Sequence, residues 1–172
     1  MEGLRTAFMA PAAGTILMVL GCASSIFAMN KVRYGVKDDN GKPLLTHPYT
    51  PWQVHKGHEE ECDNAYRCFK MYENVKEWAF FSMPLMWIFS VFGGSLPYAN
   101  GKPWLVEGAV VLSAAAWMLG NKWYIDGYIK SAKDRMPGFQ LRTKVFRFWL
   151  VGSAAGILCS ALERFGVSLP GK

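Results

Sequence analysis

Charged side chains are scarce in this 172-residue sequence, at 19% of residues against 51% hydrophobic and 15% aromatic. An average soluble domain carries about 25% charge. The scarcity is local: the stretches at roughly 8–30, 78–98, 103–121 and 148–163 contain no Lys or Arg at all. Apolar runs of that length cross a hydrocarbon core of ~30 Å. The second and third runs lack the period-2 alternation of a barrel strand, so helices are the structure that satisfies their backbone groups in lipid. Other absences narrow the chemistry. No phosphate-cradling glycine loop, serine-nucleophile motif or pair of catalytic carboxylates occurs. The four cysteines make no disulfide framework, because Cys22 and Cys159 fall inside apolar runs and Cys62 and Cys68 in a loop expected to face the reducing cytosol. Free thiols are expected.

The charge that is present, net +6, sits beside the apolar runs. The segment 31–73 holds about seven Lys/Arg and 122–147 about seven more, whereas the other connections carry isolated cations such as Arg5, Lys102 and Lys172. The positive-inside rule then puts both long loops in the cytosol and both termini on the far side. Basic residues are not interleaved with aromatics as single-stranded nucleic acid requires, so no nucleic-acid partner is expected. The first run ends in Asn30, Lys31 and Arg33, a stop-transfer flank, and reads as a mature helix, not a signal peptide.

The chain 1–172 is therefore read as one all-α membrane domain, a left-handed four-transmembrane-helix bundle with helices at about 8–30, 62–96, 103–136 and 145–164. Asp38-Asp39-Asn40-Gly41-Lys42-Pro43 and His47-Pro48-Tyr49-Thr50-Pro51 mark the first loop as turns. Pro137-Gly138 is expected to end helix three. Gly152-Ser-Ala-Ala-Gly156 and Ser113-Ala114-Ala115-Ala116 are small-residue packing faces. Glu107 and Glu163 lie at far-side helix edges, where solvation explains them.

Two polar stripes stand out. Lys70, Asn74 and Glu77 fall at i, i+4 and i+7 on helix two; Asn121, Tyr124, Tyr128 and Arg135 fall at i, i+3, i+7 and i+14 on helix three. The topology places both at the cytosolic edge, where they suit a small zwitterionic or polyanionic ligand: cations for carboxylates and Glu77 for an ammonium. Snorkelling and interfacial-belt roles are the competing explanation; they account for Tyr and Lys better than for Asn74 with Glu77. His55, His58 and Cys62 fit no strong zinc spacing, and no metal site is assigned.

The segments Arg67-Cys-Phe-Lys70-Met-Tyr-Glu-Asn74-Val-Lys-Glu77 and Tyr124-Ile-Asp-Gly127-Tyr128-Ile-Lys-Ser131-Ala132-Lys-Asp-Arg135-Met-Pro-Gly138-Phe139 resemble the MAPEG family of membrane-associated proteins in eicosanoid and glutathione metabolism. Within it they are nearest to the branch containing microsomal glutathione transferase type two, leukotriene C synthase and the lipoxygenase-activating protein. The resemblance covers roughly residues 60–160. It implies a homotrimer with sites between subunits, glutathione at the cytosolic edge and a lipophilic substrate entering from the bilayer. Lys70 then stands where the family grips a glutathione carboxylate, Asn74 and Glu77 where it holds the γ-glutamyl end, and Tyr124 and Tyr128 where ring and hydroxyl contacts lie. Arg135 stands at the thiol-activating position. A thiol with a pKa near 8.5 is only a few per cent thiolate at neutral pH, and a guanidinium beside sulfur favours the anion.

Five departures accompany the resemblance: Lys70 and Asn121 each replace a family arginine, Trp78 a tyrosine and Tyr72 a glutamine, and Pro84 sits about a turn late. Arg to Asn removes a bidentate grip, and Lys70 offers a point charge in place of a fork. The resemblance implies a glutathione transferase or peroxidase in the endoplasmic reticulum, or alternatively a mitochondrial membrane. Two other roles are consistent with it: a non-catalytic lipid-presenting protein, and a structural subunit of a larger membrane assembly such as a respiratory complex.

Overall fold

A computed structural model describes residues 2–45, 57–99, 102–131 and 133–167, with side chains from Phe8 onward. The described chain is all-helical: α1 (Glu2–Gly35), α2 (Glu59–Phe92), α3 (Pro103–Lys130) and α4 (Met136–Arg164). Two 3-10 turns, Gly93–Ser95 and Pro97–Ala99, close the far end between α2 and α3. All four helices are long and apolar enough to cross a membrane, as a multi-pass integral membrane protein requires. Their outer faces carry exposed Phe27, Phe80 and Leu112, which suits contact with lipid.

The helix bounds differ from the sequence expectation at the loop-bearing end. α1 continues through Asn30 to Gly35, and α2 begins at Glu59, three acidic residues complementing its N-terminal dipole. α3 stops at Lys130, not 136, where Ser131 turns extended. α4 starts at Met136, nine residues before the expected 145. Pro137 thus opens α4 instead of terminating α3, a first-turn position where its missing N–H is no loss.

Two contacts explain why the α3–α4 reversal is so tight. A Cβ on Gly127 would stand 2.2 Å from the Asp134 carbonyl oxygen, and one on Gly138 would stand 2.2 Å from the Tyr124 amide nitrogen. Only glycine lets the backbones approach so closely. The apolar core, including Met18, Met86, Phe89, Val110, Trp117 and Trp149, fills the middle and far end of the bundle. Polar clasps lock it across helices: Trp87 Nε1 donates to Thr15 Oγ1 at 3.0 Å, Trp149 Nε1 to Ser113 Oγ at 2.8 Å, and Ser153 Oγ to the Leu85 carbonyl at 3.1 Å. In lipid, packing and interhelical hydrogen bonds replace the hydrophobic drive that water would supply.

Beyond α1, Asp38 Oδ1 accepts the amides of Asn40 and Lys42, and Gly41 takes φ +76°, making a compact turn. It seats Val36 and Leu45 against Cys62 and Ala65 of α2. His55 and the 47–51 turn lie outside the described residues. Cys22, Cys62, Cys68 and Cys159 are free thiols.

Candidate functional site

Asn121, Tyr124 and Tyr128 share one face of α3, as their spacing requires, and that face points into the bundle. Asn121 is fully buried, and both tyrosines are nearly so. The tyrosine rings lie 5.5 Å apart and pack on the fully buried Met71 and Val75 of α2. Arg135 is not on α3, so its place at i+14 of that helix does not hold; it caps the start of α4. The turn at 133–135 nevertheless folds it back over the same face, with its Cζ 4.9 Å from the Tyr128 ring centroid. Gly127 makes that return possible by leaving room for Asp134.

At the centre of the cluster is a residue that the sequence reading did not select. Arg142 of α4 is 1% exposed, and its Nη1 donates to Asn121 Oδ1 at 2.8 Å. Asn121 Nδ2 in turn donates to the Gly21 carbonyl of α1 at 2.9 Å, tying three helices together. The Arg142 Cζ stands 4.0 Å from the Tyr124 ring centroid and 5.6 Å from that of Trp78. Trp78 packs edge-on against Phe139 and Phe146, so α2 closes the fourth side. A signal for Arg142 was in the sequence. Gly138, Arg142, Val145, Trp149, Ser153 and Gly156 recur every three or four residues and form the buried face of α4. Starting the helix at 145 left Arg142 among the loop charges.

The α2 stripe lies elsewhere. Lys70 Nζ pairs with Glu73 Oε2 at 3.3 Å and lies 5.8 Å from the Tyr66 ring centroid. Asn74 is half-buried, and Glu77 is exposed. Among the described residues no hydrogen bond or ion pair joins Lys70, Asn74 or Glu77 to Tyr124, Tyr128 or Arg135. Within one chain the two stripes therefore stay apart, with Met71 and Val75 packed against the tyrosines.

Among the described residues, clefts open near this end. One of about 360 Å³ runs between α1 and α3 past Gly21, Ser24, Met118 and Asp126. A second, of about 490 Å³, is framed by Lys31, Val36, Glu61 and Asn64. A third, about 240 Å³, is lined by Glu77, Trp78, Phe81 and Phe146 between α2 and α4. Among the described residues no three His, Cys, Asp or Glu side chains gather as metal ligands. Comparison with protein-family models and with curated proteins returns no match.

Proposed function

We propose that this chain is a membrane glutathione transferase or peroxidase of the MAPEG family, acting on lipophilic electrophiles or hydroperoxides. The observation that carries the reading is the ladder Tyr124, Tyr128, Arg135, with ring centroids 5.5 Å apart and a guanidinium 4.9 Å from the second ring. It stands at the end of the bundle where the two basic loops emerge, so a tripeptide thiol from the cytosol would meet the half-buried Arg135 before the tyrosines beneath it. Arg135 would favour the thiolate, and the tyrosines would flank the peptide. A substrate epoxide, enal or peroxide would arrive between lipid-facing helices. Attack of the thiolate on an epoxide carbon forms the C–S bond as that carbon's C–O bond breaks, and the alkoxide so released takes a proton from water.

The separation of the two stripes within one chain supports a homotrimer. Lys70, Asn74 and Glu77 of one copy would complete the site of the next, with glutathione between them. Endoplasmic reticulum is the membrane this reading favours, and a mitochondrial membrane is the alternative. One observation favours a second reading, a non-catalytic protein that presents lipid or sits as an accessory subunit in a larger membrane complex. Lys70 is already engaged by Glu73, and Asn121 by Gly21 and Arg142, leaving both carboxylate-gripping positions occupied within the chain.

The deciding measurement is glutathione binding to the purified protein in detergent, read with the ultraviolet absorbance of bound thiolate. The transferase reading expects binding and a thiolate band that Arg135→Ala abolishes. Absence of binding at millimolar glutathione rejects it and leaves the lipid-presenting or accessory role.

A further inference from the structure

We infer that Arg142 is the anchor of a buried carboxylate site, distinct from the Tyr128–Arg135 pair. A guanidinium has three nitrogens, and here they divide unequally. Nη1 is bound to Asn121, while among the described residues Nε and Nη2 are buried with no hydrogen-bond partner. Those two nitrogens project side by side along one edge of the guanidinium, the fork that takes both oxygens of a carboxylate. The bond to Asn121 holds the group in place, and that residue is itself held by Gly21, so the fork is oriented before any ligand arrives.

The charge balance points the same way. No carboxylate among the described residues pairs with Arg142; the ionisable groups that act on it are the Tyr124 hydroxyl and the Cys22 thiol. A buried, unpaired cation in such surroundings is strongly unfavourable unless an anion compensates it. Stacking on the Tyr124 ring and the side-chain interaction with its hydroxyl relieve part of that cost but supply no anion.

Trp78 provides the route. Its ring lies 5.6 Å from the Arg142 Cζ and also lines the α2–α4 crevice with Glu77, Phe81 and Phe146. Trp78 thus stands between the crevice and the guanidinium, and its movement is the entry that a carboxylate requires. The carboxylate could belong to a water-soluble peptide or to an amphipathic acid from the bilayer, and the two share the same bidentate chemistry. The inference rests on the Arg142 geometry and not on the transferase reading.

The test titrates the full-length protein in nonionic detergent with octanoate and, separately, with reduced glutathione, using octanol as the carboxylate-free control, and measures dissociation constants calorimetrically. At least one carboxylate binds the native protein and octanol does not compete. Arg142→Gln weakens that binding at least ~30-fold, as loss of a buried charge pair does. Arg142→Lys keeps the charge, loses the fork and weakens it at least ~10-fold. If Arg142→Gln fails to fold, the Lys variant decides alone. Binding of glutathione only identifies a water-side ligand, and binding of octanoate only a bilayer-side one. The inference is overturned if neither carboxylate binds the native protein at concentrations up to ~10 mM, or if the Lys variant binds as tightly as the native chain.

Discussion

At the far end of the bundle Phe89 fills the notch left by Gly152, where a Cβ would come within 2.6 Å of its ring, and Val106 packs over Gly93. At the loop-bearing end the equivalent interior holds Asn121, Arg142 and two tyrosines. Both interiors are closed, but by different means: apolar shape complementarity with a few neutral hydrogen-bonded clasps at one end, a hydrogen-bonded guanidinium stacked on a ring at the other. The first kind of interior holds the helices by packing. The second is costly wherever a polar atom lacks a partner, and such interiors persist where a ligand or a mechanism needs them.

Mutations that act on one end and spare the other can break this contrast. Phe89→Ala empties the far-end notch and is expected to cost about 3 kcal/mol of stability, from lost packing and the cavity left behind. Reversible unfolding in mixed micelles followed by circular dichroism measures it, and glutathione affinity, scaled to the folded fraction, should be unchanged. A next smaller effect is expected from Asn121→Ala, which strands the Arg142 Nη1 as well as the two nitrogens already unpaired. It should cost about 2 kcal/mol and, unlike Phe89→Ala, alter ligand binding; an effect on stability alone would mean the polar cluster is only a clasp. Lys122→Ala removes the exposed pair with Asp126 at 2.7 Å, one residue from Asn121. It should change stability by no more than about 0.5 kcal/mol, which shows how little of the effect at Asn121 comes from general disturbance of α3.

The four apolar runs were legible in the sequence because the absence of Lys and Arg is a signal that does not depend on neighbours. The facing of Asn121, Tyr124 and Tyr128 was legible too, since helical spacing fixes which residues share a face. Spacing alone does not say which way a face points, and here the stripe of α3 turns inward onto Met71 and Val75. Arg135 and Arg142 were harder for a further reason. Where α3 ends and α4 begins depends on Gly127 and Gly138 allowing two backbones to touch, a tertiary contact with no local signature. Proline and glycine at 137–138 marked a boundary correctly but not which helix it belonged to. The α2 stripe poses the opposite problem: its helical pattern is plain, yet among the described residues no hydrogen bond or ion pair links it to the α3 stripe, and Lys70 turns to Glu73 of its own helix.

The bond between Arg142 and Asn121 also bears on how the protein is made. An arginine inside a single spanning helix carries an insertion cost of about 2.5–3.5 kcal/mol near the membrane centre, less toward the edge. α4 begins only a few residues after α3 ends, so the two helices are antiparallel neighbours across one short turn. With Nη1 already on Asn121 and the guanidinium against Tyr124, the paired hairpin shields a charge that α4 alone would present bare to lipid. The arginine that equips the interior is thus carried into lipid at lower cost when α3 and α4 are paired than when α4 stands alone.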